Sequence, residues 1–378
     1  MLASRFLQIH WLTSYPATLL NRDDSGLAKR LPFGDTLRTR VSSQCLKRHW
    51  RTVDDEWSLR RIGPEMAVRS RETPERRILP AMQEANAGTA DVMAATVAAI
   101  AEQLYGSKAA EQSKRPVLLL GEPEIRYLSD KAIEIGKAAK DANAADQAVK
   151  TLFKEERGNL SALRRQGVLN AGLETALFGR MVTSDPEANT DAAIHVAHAF
   201  TVHGEAAESD YFTVIDDLAH EGSSACTAGL FDTELSSGLF YGYVVVDVPL
   251  LVSNLGDDVG LGSKVVQHLI HLIAKVSCGA KRGSTAPYSY AELMLVETGD
   301  RQPRTLANAF RQPVNARSSA AFVALFNHIE KLDRTYGAHE IRGHLSIDQG
   351  DLPGSTLMSL DDLAIFAAKM VATMPTAK

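Results

Sequence analysis

Residues 5–14 (RFLQIHWLTS) alternate apolar and polar positions, the period-two pattern of a half-buried strand. Residues 15–36 are polar, contain Pro and Gly, and read as a loop. The alternation returns at 37–41 (LRTRV), a second strand. Ser42 or Ser43 then caps a short helix that runs to about Val53. Residues 54–80 are rich in charge, with Pro64, Pro74 and Pro80, and read as a connection or a set of short helices. Alanine becomes frequent after residue 81, and 82–112 and 124–180 read as helical. The run PVLLL (116–120) is too short to separate a strand from a buried turn, and DAAIHVAHAFT (191–201) fits helix and strand equally. Residues 210–215 and 230–248 are β-like, the latter with a Ser-Ser-Gly turn before LFYGYVVVDV. An amphipathic helix over 261–277, a strand over 288–297, a helix over 318–334, a strand over 340–347 and a terminal helix over 358–374 follow. β elements at both ends of a mostly helical middle predict an α+β fold carrying a large helical insertion.

Composition narrows the class. The chain has 378 residues, 45% apolar and 23% charged, which excludes wholesale disorder, collagen and a disulfide scaffold. Cys45, Cys226 and Cys278 are far apart in sequence and form no CxxC, which argues for a reducing compartment and against a structural zinc site. No run approaches a membrane span, and MLASRFLQIHWLTSYP lacks the pattern of a secretory leader, so the expected location is the cytoplasm. The formal charge of −5 hides an asymmetry: residues 1–80 carry 15 Lys/Arg against 9 Asp/Glu. A basic segment on a mildly acidic chain could line a nucleic-acid groove, but charge alone favours the plainer reading, an exposed arginine-rich helix on a solvated face.

The helix after Ser42 sharpens that choice. At about 100° per residue, Leu46, Trp50 and Val53 share one stripe, and Gln44, Lys47, Arg48 and Arg51 the opposite arc. Free N–H groups at the helix start favour phosphate oxygens. Arg38 and Arg40, on one face of the preceding strand, extend the charge over more than one phosphate spacing. Upstream, Asn21-Arg22-Asp23-Asp24 with Lys29 and Arg30 fits an Asx-type turn with local ion pairs. Two adjacent carboxylates could instead hold Mg²⁺ for RNA cleavage. His195/His198 and His268/His271 are spaced by three but lack the Glu of HExxH, and Gly256–Lys264 does not match a phosphate loop.

The segments NRDD (21–24), VSSQCLKR (41–48), GRMVTS (179–184), YFTVIDDL (211–218), ELSSGLFYGY (234–243), GAKR (279–282) and LANAF (306–310) occur in the order of one family. The sequence resembles CasC, the backbone subunit of the type I-E CRISPR surveillance complex, Cascade. The resemblance implies an RRM-like (ferredoxin-like) palm over 1–58 and 236–378, a helical fingers insertion over 59–181, a connection over 182–204 and a β-hairpin thumb over 205–235. It implies about six copies stacked head-to-tail along one CRISPR RNA, an open heterologous assembly. It also implies target DNA and CasA, CasB, CasD and CasE type subunits as partners, with no cofactor, metal or membrane. Arg22, Lys29, Ser42, Gln44, Lys47, Arg48 and Arg51 match positions expected to hold the RNA backbone, and Lys281 and Arg282 match a palm loop near it. Met181, Phe212 and Thr213 match positions where a thumb kinks the guide. In the diverged fingers, Lys137, Lys140, Lys150, Lys154 and Arg157 are candidates for contact with target duplex, or an ordinary solvated face.

The implied role is a non-catalytic scaffold: cations hold sugar-phosphate without sequence preference, and base pairing reads the target. The alternative is a Mg-dependent RNA endonuclease using Asp23 or Asp24, as in backbone subunits of other CRISPR types. A metabolic α/β enzyme with a chance basic helix is the third reading.

Overall fold

The computed structural model describes residues 5–155, 171–181, 189–215, 227–348 and 350–373. Its strands in chain order are β1 (Phe6–Thr18), β2 (Arg30–Phe33), β3 (Thr36–Val41), β4 (Ala67–Ser70), β5 (Leu118–Gly121), β6 (Ile194–Val196), β7 (Ala199–Thr201), β8 (Ala207–Ile215), β9 (Thr227–Asp247), β10 (Leu293–Gly299), β11 (Ile341–Ser346) and β12 (Ser355–Leu357). The chain divides into two compact units. The first comprises Met1–Arg61, His195–Val248 and Gly262–Lys378, and the second Ile62–Ile194 and Pro249–Leu261.

The first unit is built on one sheet ordered β12-β11-β10-β1-β9-β7-β3-β2, antiparallel throughout except for β11 with β12. Helices Ser43–Thr52 and Val259–Lys275 alternate with its central strands in the chain order β1, helix, β7, β9, helix, β10. With β10-β1-β9-β7 side by side, this is a βαββαβ topology. The α+β class predicted from the pattern therefore stands.

Alternation along β1 sends Leu7, Ile9 and Trp11 to one face and Gln8, His10 and Leu12 to the other. All six are buried. On the first face the Trp11 ring meets Trp50 of the Ser43–Thr52 helix edge-on at 6.1 Å. Gly242 lies opposite Trp11 in the register, where an added Cβ would fall 2.1 Å from the indole. The second face packs Leu12, Tyr241, Leu293 and Leu295 against Leu325 and Ile329 of helix Ser318–Tyr336.

That second face also buries charge. The fully buried Glu297 carboxylate accepts hydrogen bonds from Arg304 (2.8 and 3.1 Å) and Arg342 (2.7 Å), and lies 3.2 Å from His10 Nε2. Burial alone would raise its pKa, but His10 and Arg304 outweigh burial and hold it well below the carboxylate range. A carboxylate so surrounded is costly to strip of its partners.

The second unit is mainly helical. Helices Ala90–Tyr105, Glu122–Ala138 and Ala142–Glu155 enclose a core that includes Ile78, Met82, Ile100, Leu128 and Val149. The antiparallel pair β4 and β5 borders it. A buried ion pair joins Arg180 to Glu124 at 2.7 Å.

Several sequence expectations change. The loop expected over 15–36 holds the end of β1 and all of β2. PVLLL resolves as a strand, β5, and 191–201 as the two short strands β6 and β7. The Ser-Ser-Gly turn does not exist: Ser236, Ser237 and Gly238 lie inside the 21-residue strand β9. There β9 changes partners, pairing with β8 as far as Ser236 and with β1 from that residue onward. The serines tie the change of partner together, because Ser236 Oγ donates to the Thr18 carbonyl and Ser237 Oγ accepts from the Ala17 N–H.

Candidate nucleic-acid interface

The candidate interface starts at the Ser43–Thr52 helix. Ser42 is its N-cap, with Oγ accepting from the Cys45 N–H at 3.3 Å, as the sequence predicts. The Ser42 hydroxyl is thus engaged in the cap and mostly buried. Leu46, His49 and Trp50 turn inward, Gln44 and Arg48 are exposed, and Lys47 and Arg51 are half-buried. No acidic residue stands in the first turn to oppose an anion.

The upstream loop is fastened to this helix start. Asn21 Oδ1 accepts from the Ser42 N–H at 2.9 Å, and the Asn21 carbonyl from the Lys29 N–H at 2.9 Å. Asp23 closes the loop as an Asx-type turn, its Oδ1 accepting from Ser25 and Leu27 N–H groups at 2.9 and 3.0 Å. Arg22 is left exposed beside Asp24, and Lys29 half-exposed. Arg30 turns away from solvent onto Glu205 and Glu234.

Arg38 leaves the proposed cluster. It is fully buried and donates to the carbonyls of Phe33, Thr201 and Phe310, so it braces the sheet. The alternation that placed Arg38 and Arg40 on one face is correct, but the Ala307–Phe310 turn, whose Phe310 carbonyl accepts one of these bonds, packs onto Arg38. Arg40, further along, instead meets His198 Nδ1 at 3.0 Å.

A second loop converges from the far end of the sequence. Ala280 N–H donates to the Leu19 carbonyl at 2.8 Å, just ahead of the Asn21 loop. Lys281 Nζ donates to Thr233 Oγ1 and stands 5.6 Å from the Phe212 ring centre, within reach of the ring's negative face. Arg282 reaches the Ser277 carbonyl at 3.4 Å. Three segments distant in sequence therefore present Arg22, Gln44, Arg48, Lys281 and Arg282 in one region of the first unit.

The arm formed by β8 and β9 stands beside it. Phe212 faces Phe231 across the ladder, the rings stacked at 5.6 Å, and they are 41% and 48% exposed. Thr213, the next residue, points to the opposite side of the arm. Met181 belongs to the second unit and is 82% exposed. Also in that unit, Lys137, Lys140 and Lys154 are exposed, whereas Lys150 is paired with Asp146 at 2.9 Å and Glu102 at 3.8 Å. Arg157 lies outside the described residues.

One cluster escaped the sequence reading. Cys45, His49 and Cys278 bring their ligand atoms within 4.8 Å of one another. Cys45 and His49 lie one turn apart on the Ser43–Thr52 helix, and Cys278 arrives from a segment remote in sequence. Wide spacing between the cysteines argued against such a group, but spacing along the chain does not report where a loop packs. The hydrogen bond from the Cys278 thiol draws the Cys45 thiol down to about 5, with His49 and Arg48 adding to it, while the same bond and burial push Cys278 up. Among the described residues, Asp23 and Asp24 join no comparable group of three ligands.

The family model for CT1975-like protein matches residues 7–377. The chain belongs to this family. The kinship expected from the seven ordered segments therefore stands. Among solved structures, this CT1975-like chain is similar to a chain of a "CRISPR RNA-guided surveillance complex, pre-nicking", with 27% identity and a TM-score of 0.79, covering 97% of this chain and 99% of that one. It is also similar in fold to a chain of a "CRISPR RNA-guided surveillance complex", with 22% identity and a TM-score of 0.59, covering 96% and 99%. No curated protein matches. Among the described residues, no helix is long and apolar enough to cross a membrane.

Proposed function

We propose that the chain is a non-catalytic backbone subunit of a type I-E CRISPR surveillance complex. The observation that carries this reading is the likeness, over 97% of the chain, to a chain of an RNA-guided surveillance complex. The convergence of Arg22, Gln44, Arg48, Lys281 and Arg282 supports it. Cations spread over two loops and a helix, with Arg22, Arg48 and Arg282 exposed, suit successive phosphates of one strand, and they supply affinity without reading bases. Copies stack head-to-tail along the guide RNA, each through an RRM-like palm, in company with CasA, CasB, CasD and CasE type subunits. The β8–β9 arm of one copy crosses the guide laid on the next. Phe212 offers a ring on which a displaced base stacks, worth about 1–3 kcal/mol per base. The bases between kinks stay ordered and pair with target DNA, so pairing rather than the protein reads sequence. Asp23 serves its own turn in this reading, and cutting is left to other proteins.

Co-expression with a guide RNA and the neighbouring subunits tests the proposal. A large ribonucleoprotein with the guide protected along its length is expected. A chain that purifies free of nucleic acid under those conditions overturns it, and regularly spaced cuts in a complementary RNA, abolished by Asp23→Ala with Asp24→Ala, would replace it with the nuclease reading.

A further inference from the structure

We propose that Cys45, His49 and Cys278 form a binding site for one zinc ion. The three side chains supply two sulfurs and one imidazole nitrogen, the donor types zinc prefers. All three ligand atoms already lie within 4.8 Å of one another. Sγ of Cys45 is 3.7 Å from Nδ1 of His49. Zinc bonds of about 2.3 Å to sulfur and about 2.0–2.1 Å to nitrogen at tetrahedral angles place those atoms about 3.6 Å apart. The helical pair therefore stands near the separation that a shared ion imposes, and the cluster needs only a small contraction.

The site is approachable from the Cys45 side. Cys278 and His49 are buried, but Cys45 is only partly so, which leaves a route for the ion and for a water as fourth ligand. His49 Nδ1 also lies 2.8 Å from the Cys45 carbonyl. Ligation through Nδ1 exchanges that hydrogen bond for the metal bond and moves the ring proton to Nε2. The ion would tie the Ser43–Thr52 helix to the segment that leads into Lys281 and Arg282, and so couple two of the three segments of the basic region. The metal site itself does not depend on the reading of that region as an RNA groove.

The test uses the full chain, reduced and handled without oxygen, with Cys226 replaced by serine so that two thiols remain. Cobalt(II) is the spectroscopic probe and zinc the competitor. One equivalent of cobalt with thiolate-to-metal charge-transfer absorption is expected, displaced by zinc and abolished in Cys45→Ser and in Cys278→Ser. Cys45→Ser, at the partly exposed position, keeps the test informative if Cys278→Ser misfolds. Absence of the charge-transfer band in the parent chain overturns the proposal, as does a band that survives Cys45→Ser.

Discussion

His271 is a buried imidazole with neither ring nitrogen hydrogen-bonded, its Nε2 lying 3.7 Å from the Asp361 carboxylate. Its ring stacks on Trp57 at 3.5 Å and 7°. Burial pushes its pKa down to about 4, with Lys275 and His268 helping and Asp361 and Glu56 opposing. The sign follows from linkage: the unfolded chain takes up the proton near pH 6.5 and the folded chain resists until about 4. Stability is therefore full above that window and declines as pH falls through it, by roughly 3 kcal/mol at most. His271→Phe keeps the stack and removes the proton. Urea unfolding of this variant between pH 7 and 4 is expected to show a shallower acid decline than the parent, and an unchanged decline would assign it to other groups. His10 adds to the same acid sensitivity, since burial lowers its pKa as well. Neither effect was legible in sequence, where a histidine in an apolar strand or helix looks like any other.

At the scale of elements, the long strand β9 carries two functions in one piece of backbone. Its C-terminal half is core, where Gly242 clears space for Trp11. Gly242→Ala forces the indole to move and is expected to cost about 1–3 kcal/mol by denaturant midpoint. Adding Trp11→Leu to the same chain is expected to recover part of that stability. Its N-terminal half forms the exposed arm with β8. Phe212→Ala removes the exposed ring there and leaves the basic side chains of the neighbouring loops in place. Chemical probing of a bound guide is then expected to lose the regular kink pattern while overall affinity changes little; an intact pattern would remove Phe212 from that role. Period-two alternation predicted both halves as β. The turn expected between them failed because Ser-Ser-Gly is turn-like in composition, whereas pairing of Ser236 with both β8 and β1 keeps the strand extended.

Across the whole molecule, charge is sorted by burial. Arg38 and Arg342 are consumed inside the first unit, while Arg22 and Arg48 face solvent. Replacing Arg22 and Arg48 by alanine is expected to weaken guide binding and to flatten the dependence of log K on log salt by about 0.7 for each phosphate no longer held. An unchanged slope would take both residues out of the groove. The sequence by itself determined the α+β class, the amphipathic helix capped at Ser42 with its outward cations, and the ordered segments that mark the family, because these depend on local periodicity, capping and residue identity. Only the tertiary structure decided which arginines remain available, that β9 runs unbroken, and that Cys45, His49 and Cys278 meet. Those outcomes depend on which distant strands and loops pack together, and one-dimensional spacing carries no record of that.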